Sequence, residues 1–551
     1  MPRKTTRSND QPSPTTNNLN NWTIMFFFAS DMDLSPLNVS QIKTLKEAGF
    51  QKSTEVLLYF DSNEKGVPTR LFNVNRERRG NPPQTYIGDG RDPYVRNFLP
   101  DEILPSDMDP QKGEYTTALW KALPKGDSLR ADKALENFIG YCVENHPAKH
   151  YLLFVVGHGQ IVANDAFLFD ENPASGITLI ELGGILRRFT TKVEQQGGAF
   201  ELLGLHSCSM SAIEVAYELK GTAKYMIASE GFSFVGSWPY RQLLKKIFNT
   251  TERNDDDVQT LIQRVYELSL YNATDFAFSG YSHDLALCSL APEKIEAFMV
   301  PFLRLTAILR QSLDDPRDPR GRQFIQLAHL KSQSFWRESY TDIYDFCKCL
   351  KENYDDVGPV AKACSDVMDV LKVQDDPFTG LVVFSDNFGW EYQFAHGLSI
   401  YFPWNRPLGP VRKSPLYRYE KYAFSKDYPR GNSWHKFLDE YLKKTMRTAE
   451  NPVPSEPYDK MMARPHPGLY GSLSNKPGGT YANKPGGTYN KPGGGYADSA
   501  CICPSIKNFP TISKLHRTFT VREPSMTPRA EKAFEDQTGR NNRRRSRAPK
   551  K

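Results

Sequence analysis

Two apolar, β-rich runs of the sequence each end in a short polar turn, and this pattern constrains the fold most. Tyr151–Gly159 reads YLLFVVGHG, and Phe200–Cys208 reads FELLGLHSC. Chemistry in parallel α/β sheets collects outside the carboxyl ends of the strands. If the two runs are neighbouring strands, His158 and Cys208 face each other across the strand tips, within hydrogen-bonding or one-water reach.

Cys208 is the candidate nucleophile and His158 its base. The polar neighbours of Cys208 are unfavourable for core packing, and the start of the helix expected after it favours a thiolate. The thiolate would attack a carbonyl carbon, His158 would protonate the leaving amine, and the backbone amides of Gly159 and Cys208 would donate to the oxyanion. The alternatives are a buried structural cysteine and a structural histidine.

Strands and helices alternate along the first half of the chain. This alternation predicts an α/β fold with a mostly parallel sheet flanked by helices. Later residues read mainly as helices, with two β runs at Gly380–Ser385 and Gly397–Pro403. We therefore predict a disordered tail at 1–21, a catalytic core at 22–250, a second lobe at 251–450, and a disordered tail at 451–551 with NKPGGTY repeats and a basic end.

Composition excludes several classes of function. The chain has 551 residues and a net charge of +6, but its last twelve residues hold seven Lys and Arg and no acid. The remainder is therefore close to neutral, which argues against nucleic-acid binding except through the basic tail. The polar N-terminal sequence lacks the apolar segment of a signal peptide, and no apolar run is long enough to span a bilayer. We predict a cytoplasmic protein without membrane partners.

Two pairs of cysteines are candidate metal ligands. Cys347 and Cys349 form one pair, and Cys501 and Cys503 form the other. Neither has a second pair of ligands at the spacing of a structural zinc site. The sequence therefore predicts no metal and no cofactor.

Five blocks in register resemble the clostripain family of cysteine peptidases, the C11 type, which has a caspase-like fold. The match runs from Trp22 to Pro403, and its blocks are WTIMFFFASDMDL, YLLFVVGHG, the Cys208 turn with SMSAIEVAYEL, YMIASE with GSWPY, and HGLSIYFP. The resemblance implies that His158 and Cys208 form the catalytic dyad of an endopeptidase acting on proteins or peptides. Calcium dependence is implied only by analogy with some relatives.

The sequence departs from the family pattern at two positions. The family usually has Asp-Ala-Cys, and here His206 stands in place of the aspartate. Alignment on Trp238 puts Gly236 where the family has the aspartate that binds a basic P1 side chain. We expect Gly236 and Trp238 to border the substrate cleft and a nearby acid to favour Arg or Lys at P1. The candidate acids are Asp31, Asp33 and Glu230.

The leading prediction is a single-chain cysteine endopeptidase. Relatives often cleave themselves at a basic residue between the histidine and cysteine strands. Here the basic residues in that interval are Arg187, Arg188 and Lys192, all on or beside a predicted helix, so we expect no processing there. One alternative is a catalytically silent relative that acts as an interaction or scaffold protein. Another is a protease tethered to nucleic acid by its basic tail.

Overall fold

The structure is a computed structural model, and it describes the chain in segments. These are residues 19–29, 38, 41–42, 44–45, 48–61, 70–75, 129–159, 167–171, 174–234, 237–252, 257–278, 282–335, 339–389, 391–404, 419–428 and 433–445. The predictions for both tails, the repeats and the basic end fall outside these residues, as do Asp31, Asp33 and Gly236.

An eight-stranded sheet forms the centre of the molecule. Its strand order is β12-β9-β8-β7-β4-β1-β2-β3, and a three-stranded sheet, β10-β11-β13, and a hairpin, β5-β6, accompany it. The strands are β1 Asn20–Phe28, β2 Thr54–Phe60, β3 Arg70–Asn73, β4 Ala148–Val156, β5 Phe167–Glu171, β6 Ala174–Ile177, β7 Ala199–His206, β8 Tyr225–Ala228, β9 His283–Ser289, β10 Ser334–Phe335, β11 Tyr340–Asp342, β12 Val382–Phe388 and β13 Ser399–Tyr401.

The middle of the main sheet is parallel, as the sequence predicts. β8, β7, β4, β1 and β2 run in the same direction, whereas β3, β9 and β12 pair antiparallel at the two sides. The parallel strands are apolar on both faces because helices cover both faces. β1 and β4 are almost wholly buried along their length.

Eleven α-helices occur among the described residues. They are α1 Ala131–Asn145, α2 Leu179–Gln195, α3 Ile213–Glu218, α4 Tyr240–Glu252, α5 Val258–Phe278, α6 Pro292–Ser312, α7 Gly321–Lys331, α8 Ile343–Asn353, α9 Gly358–Leu371, α10 Ala423–Lys426 and α11 Trp434–Thr445. A capping box begins α2: Glu181 N donates to Thr178 Oγ1 at 3.1 Å, and Thr178 N donates to Glu181 Oε2 at 2.8 Å. Each of these two hydrogen bonds satisfies a backbone N–H group that has no partner within the helix.

The later part of the chain extends the main sheet. β9 and β12 both follow residue 250, yet they occupy one side of the eight-stranded sheet. β13 is joined to the segment after β7, because Ser399 N donates to Ser211 O at 3.1 Å and Tyr401 N donates to Glu214 Oε1 at 2.9 Å. We call residues 339–445 the C-terminal lobe, and it packs directly behind the Cys208 turn.

No helix among the described residues combines the length and the apolar character that a membrane crossing requires.

Candidate functional site

The tips of β4 and β7 bring the two predicted catalytic residues to the same level of the sheet. β4 and β7 are parallel neighbours, and Val156 pairs with His206 at their ends. His158 and Cys208 each follow two residues after that pair, so both lie just beyond the carboxyl ends of adjacent strands. The neighbouring strands predicted from the sequence are therefore present.

The two turns are in contact through their backbones. Ser207 Oγ donates to Gly157 O at 2.7 Å. A Cβ atom added to Gly159 would lie 3.0 Å from Cys208 N and 2.5 Å from Cys208 O. The amides of Gly159 and Cys208, predicted as oxyanion donors, thus belong to backbone segments packed against each other.

The site is closed in this structure. His158 and Cys208 both have 0% exposure, whereas an open active site would leave part of each accessible. Thiolate chemistry at this position therefore requires an opening of the site.

The segment after β8, residues 229–234, wraps around the Cys208 turn. Ser209 N donates to Gly231 O at 2.9 Å, and Met210 N donates to Ser229 O at 2.9 Å. Ser233 N donates to Cys208 Sγ at 3.2 Å. An N–H group pointed at sulfur favours a thiolate, so this segment supplies the electrostatic support that the sequence assigned to a helix.

The helix predicted after Cys208 is present, but it begins later than expected. α3 begins at Ile213 and is only six residues long. The amides of Met210 and Ser211 both donate to Ser229 O instead of continuing into a helix. The field of a helix terminus is felt within about one turn, so α3 does not act on the Cys208 sulfur. Pairing with the segment after β8 outweighed the local helical pattern.

His206 is a buried structural residue that links β7 to the segment before α4. Its Nε2 lies 2.9 Å from Phe234 O and its Nδ1 lies 2.5 Å from Tyr240 Oη. Its ring stacks on Trp238 with centroids 4.6 Å apart. Burial lowers the pKa of His206 to about 3, so the imidazole is neutral, with Nε2–H donating to Phe234 and Nδ1 accepting from Tyr240. The sequence signal that could have indicated the packing of His206 is the run Trp238-Pro239-Tyr240, which follows Ser237.

Two of the predicted substrate-binding residues are inaccessible in this structure. Trp238 is 1% exposed and is covered by His206 and neighbouring aromatic rings. Glu230 is 0% exposed, and its Oε2 accepts from Gly397 N at 2.8 Å. Both residues therefore organise the protein around the site in this state. Sequence reasoning placed them next to the right strand but missed the C-terminal lobe that buries Glu230.

The cysteines of α8 pack in the interior. Cys347 and Cys349 are both fully buried, and burial raises the pKa of the Cys347 thiol well above its ordinary value. Among the described residues, no group of three or more His, Cys, Asp or Glu side chains is arranged to hold a metal ion. The pair at Cys501 and Cys503 lies outside these residues.

Comparison with known proteins adds three findings. The chain is similar to an inactive zymogen C11 protease from Parabacteroides distasonis, with 16% identity and a TM-score of 0.42 over 74% of this chain and 97% of that one. It is also similar to a secreted C11 cysteine protease from Bacteroides thetaiotaomicron solved with an irreversible peptide inhibitor, with 13% identity and a TM-score of 0.42 over 77% of this chain and 99% of that one. Comparison with curated proteins finds no match.

The second of these proteins is described as secreted, and no comparison supports the cytoplasmic localisation predicted from the sequence. The sheet and its covering helices form the α/β, caspase-like architecture that the sequence predicts. The model of the clostripain family, Peptidase_C11, matches residues 116–441, which is more than half of the chain. The match includes both strand tips and supports a cysteine peptidase. The chain belongs to the clostripain family.

Proposed function

We propose that this chain is an endopeptidase in which Cys208 is the nucleophile and His158 is the general base and acid. The observation that carries the proposal is the register of β4 and β7, which puts both residues two positions beyond the same pair of strand ends. The contact of Gly159 with the Cys208 backbone supports it, since the same two turns would also hold the oxyanion donors.

The reaction starts from the reduced enzyme. The Cys208 thiolate attacks the peptide carbonyl carbon and forms a C–S bond, and the amides of Gly159 and Cys208 donate to the resulting oxyanion. His158 protonates the amine as the C–N bond breaks, which leaves an acyl-enzyme. His158 then takes a proton from water, which attacks the acyl carbon and releases the acid and the thiol.

Basic P1 specificity is part of the same proposal. A guanidinium or ammonium group in a closed pocket needs a carboxylate partner, because an unpaired buried charge is costly. Glu230 is engaged with Gly397 and lies away from solvent. We therefore assign the P1 contact to Asp31 or Asp33, which follow the carboxyl end of β1 in the sequence.

A panel of peptides that differ at P1 tests this function. The purified protein should be assayed with reductant, alongside Cys208→Ala and His158→Ala, which should each lose essentially all activity. Cys142→Ala, at a buried free thiol on α1, is the matched control and should retain activity. Activity that survives in Cys208→Ala would refute the proposed nucleophile.

The P1 assignment has its own test in the same panel. Asp31→Asn or Asp33→Asn should reduce cleavage after Arg and Lys at least tenfold more than cleavage after uncharged residues. Asp366→Asn, on the surface of α9, should change neither. Equal losses for basic and uncharged P1 peptides would refute the assignment.

A catalytically silent interaction protein is the second candidate. The complete burial of His158 and Cys208 favours it. Labelling of reduced Cys208 by a peptide carrying an electrophile separates the two functions. The peptidase should be labelled at Cys208 under conditions in which it turns over peptide, and the silent protein should not.

A further inference from the structure

Three buried carboxyl groups from three different elements meet behind the Cys208 turn. Glu230 lies in the segment after β8, Asp284 lies in β9, and Asp342 lies at the end of β11, just before α8. Each is at most 1% exposed. Three carboxylates cannot all be charged at such a site without a large cost, so at least one proton belongs to the cluster.

The two aspartates of the cluster are held by backbone N–H groups. Asp284 accepts from Gly231 N at 2.9 Å and from Glu230 N at 2.5 Å. Asp342 accepts from Asp345 N at 2.6 Å and from His396 N at 2.7 Å. Two backbone N–H donors therefore hold the carboxyl group of each aspartate in place.

Glu230 differs from the two aspartates. Its Oε2 accepts one bond, from Gly397 N. No donor among the described residues reaches its Oε1, and Asp342 lies within hydrogen-bonding reach of the side chain. A proton on Glu230 that is donated to Asp342 satisfies both groups.

The cluster is connected to the sulfur through a short series of backbone contacts. Glu230 and Gly231 are held by Asp284, Gly231 O accepts from Ser209 N at 2.9 Å, and Ser233 N donates to Cys208 Sγ at 3.2 Å. Residues 229–234 therefore sit between the carboxyl cluster on one side and the Cys208 turn on the other.

We propose that Glu230 is a positioning residue for the reaction at Cys208. Protonated Glu230 ties residues 229–234 to Asp342 and Gly397, and ionised Glu230 releases them. The inference rests on the proposed peptidase function. It adds that the C-terminal lobe controls, through one proton, the segment that donates to the nucleophile.

The electrostatics of the surroundings agree with this geometry. Burial, and then the charges of Asp342 and Asp284, raise the pKa of Glu230 well above its ordinary value. Burial raises the pKa of Asp284 to about 7 and lowers the pKa of His283 to about 4, so His283 offers no positive charge.

Other titratable groups also face the cluster. Burial lowers the pKa of His396, but the charge of Asp342 outweighs burial and leaves that pKa above its ordinary value. Burial raises the pKa of the Cys288 thiol to about 12. Asp342 is the N-cap of α8 and accepts from Asp345 N at 2.6 Å, and the Asp345 carboxylate accepts from Gln333 N at 2.8 Å. Ionisation of Glu230 therefore adds a negative charge beside other buried carboxyl groups.

The decisive variant is Glu230→Gln, whose amide can donate to Asp342 at every pH. We expect its kcat/KM at pH 6 to lie within about threefold of the wild type. Above neutral pH, the wild-type value should fall at least fivefold relative to the variant. Glu230→Ala leaves Gly397 N and Asp342 without their partner and should lower kcat/KM about tenfold or more at every pH. Glu201→Gln is the matched control and should keep the wild-type pH profile. Glu201 is a buried carboxylate on β7 that pairs with Lys224.

Hydrogen exchange supplies a readout that does not depend on catalysis. In the wild type, protection of residues 229–234, corrected for intrinsic exchange rates, should fall about tenfold between pH 6 and pH 9, while protection of α2 stays constant. The inference is overturned if this protection is flat with pH, if Glu230→Gln folds but is inactive, or if its pH profile matches the wild type. Absence of Cys208-dependent cleavage would refute the proposed function but leave the exchange test standing.

Discussion

Replacing Gly159 with alanine should strongly impair the proposed reaction, because an added methyl group has no room beside Cys208. The new Cβ would lie 2.5 Å from Cys208 O, 2.7 Å from Ser207 Cβ and 3.0 Å from Cys208 N. The shortest of these distances is about 0.9 Å below the 3.4 Å at which ordinary contact begins. Two of the three atoms are backbone, so the turns after β4 and β7 must move apart.

The size of that movement sets the expected effect. A misplacement of about 1 Å between reacting groups costs about 100-fold in rate, and overpacking costs about 1–3 kcal/mol in stability. We therefore expect kcat/KM to fall about 100-fold, while the free energy of unfolding falls by about 2 kcal/mol. Initial rates on the best peptide of the panel and urea unfolding would measure the two effects.

Two other glycines serve as controls. At Gly157 the nearest atom to an added Cβ is Leu168 Cδ2 at 2.8 Å, the end of a flexible side chain, so Gly157→Ala should cost much less activity. At Gly184 in α2 the nearest atom is Arg188 Nη1 at 3.5 Å, and Gly184→Ala should raise stability by about 0.5–1 kcal/mol. Activity of Gly159→Ala within threefold of the wild type would refute the reasoning.

Three further predictions follow from buried polar groups and from the chain between the strands. His206→Ala removes two hydrogen bonds and the stack on Trp238, so it should lower the free energy of urea unfolding by about 2–4 kcal/mol; an unchanged value would contradict its structural role. Burial raises the pKa of Glu214 from an ordinary 4.5 to about 7, so the stability it provides below pH 4.5 is lost as the pH rises to about 7. Glu214→Gln should remove this pH dependence, which is worth up to about 3 kcal/mol in the free energy of unfolding. Unfolding curves at pH 5 and pH 8 measure it, and an unchanged difference between the two pH values would contradict the assignment. Because Arg187, Arg188 and Lys192 lie on α2, reduced protein incubated for hours should stay one chain on a denaturing gel; two fragments that vanish in Cys208→Ala would contradict this.

The sheet was predictable because its information is local. Apolar runs such as Tyr151–Val156 and Phe200–Leu205 have only one compatible environment, a strand buried on both faces. The two runs are equally long, but His158 follows its run by two residues and Cys208 by three, and the register shift between Tyr151 and Leu152 brings them to one level. The start of α2 is also marked locally, since the two residues of its capping box lie within four positions.

The surroundings of the site depend on contacts between distant parts of the chain, which a local pattern does not contain. A glutamate on a helix ordinarily faces solvent, yet Tyr401 N and Tyr419 Oη, 187 and 205 residues later, donate to Glu214 in the interior. The sequence analysis placed Glu230 in the substrate cleft, but Gly397 N donates to it in the interior instead. The start of α3 shifted because Ser229 O captured the amides that would have opened the helix.

The position of β9 and β12 decides how this protein can be dissected. A fragment ending near residue 250 would remove the strand that pairs with β8 and leave an apolar β edge open to other chains, which promotes aggregation. It would also lose every donor that the C-terminal lobe gives to Glu214 and Glu230. A minimal expression fragment should therefore run from β1 through α11, and a shorter fragment that precipitates would say nothing about whether the enzyme is active.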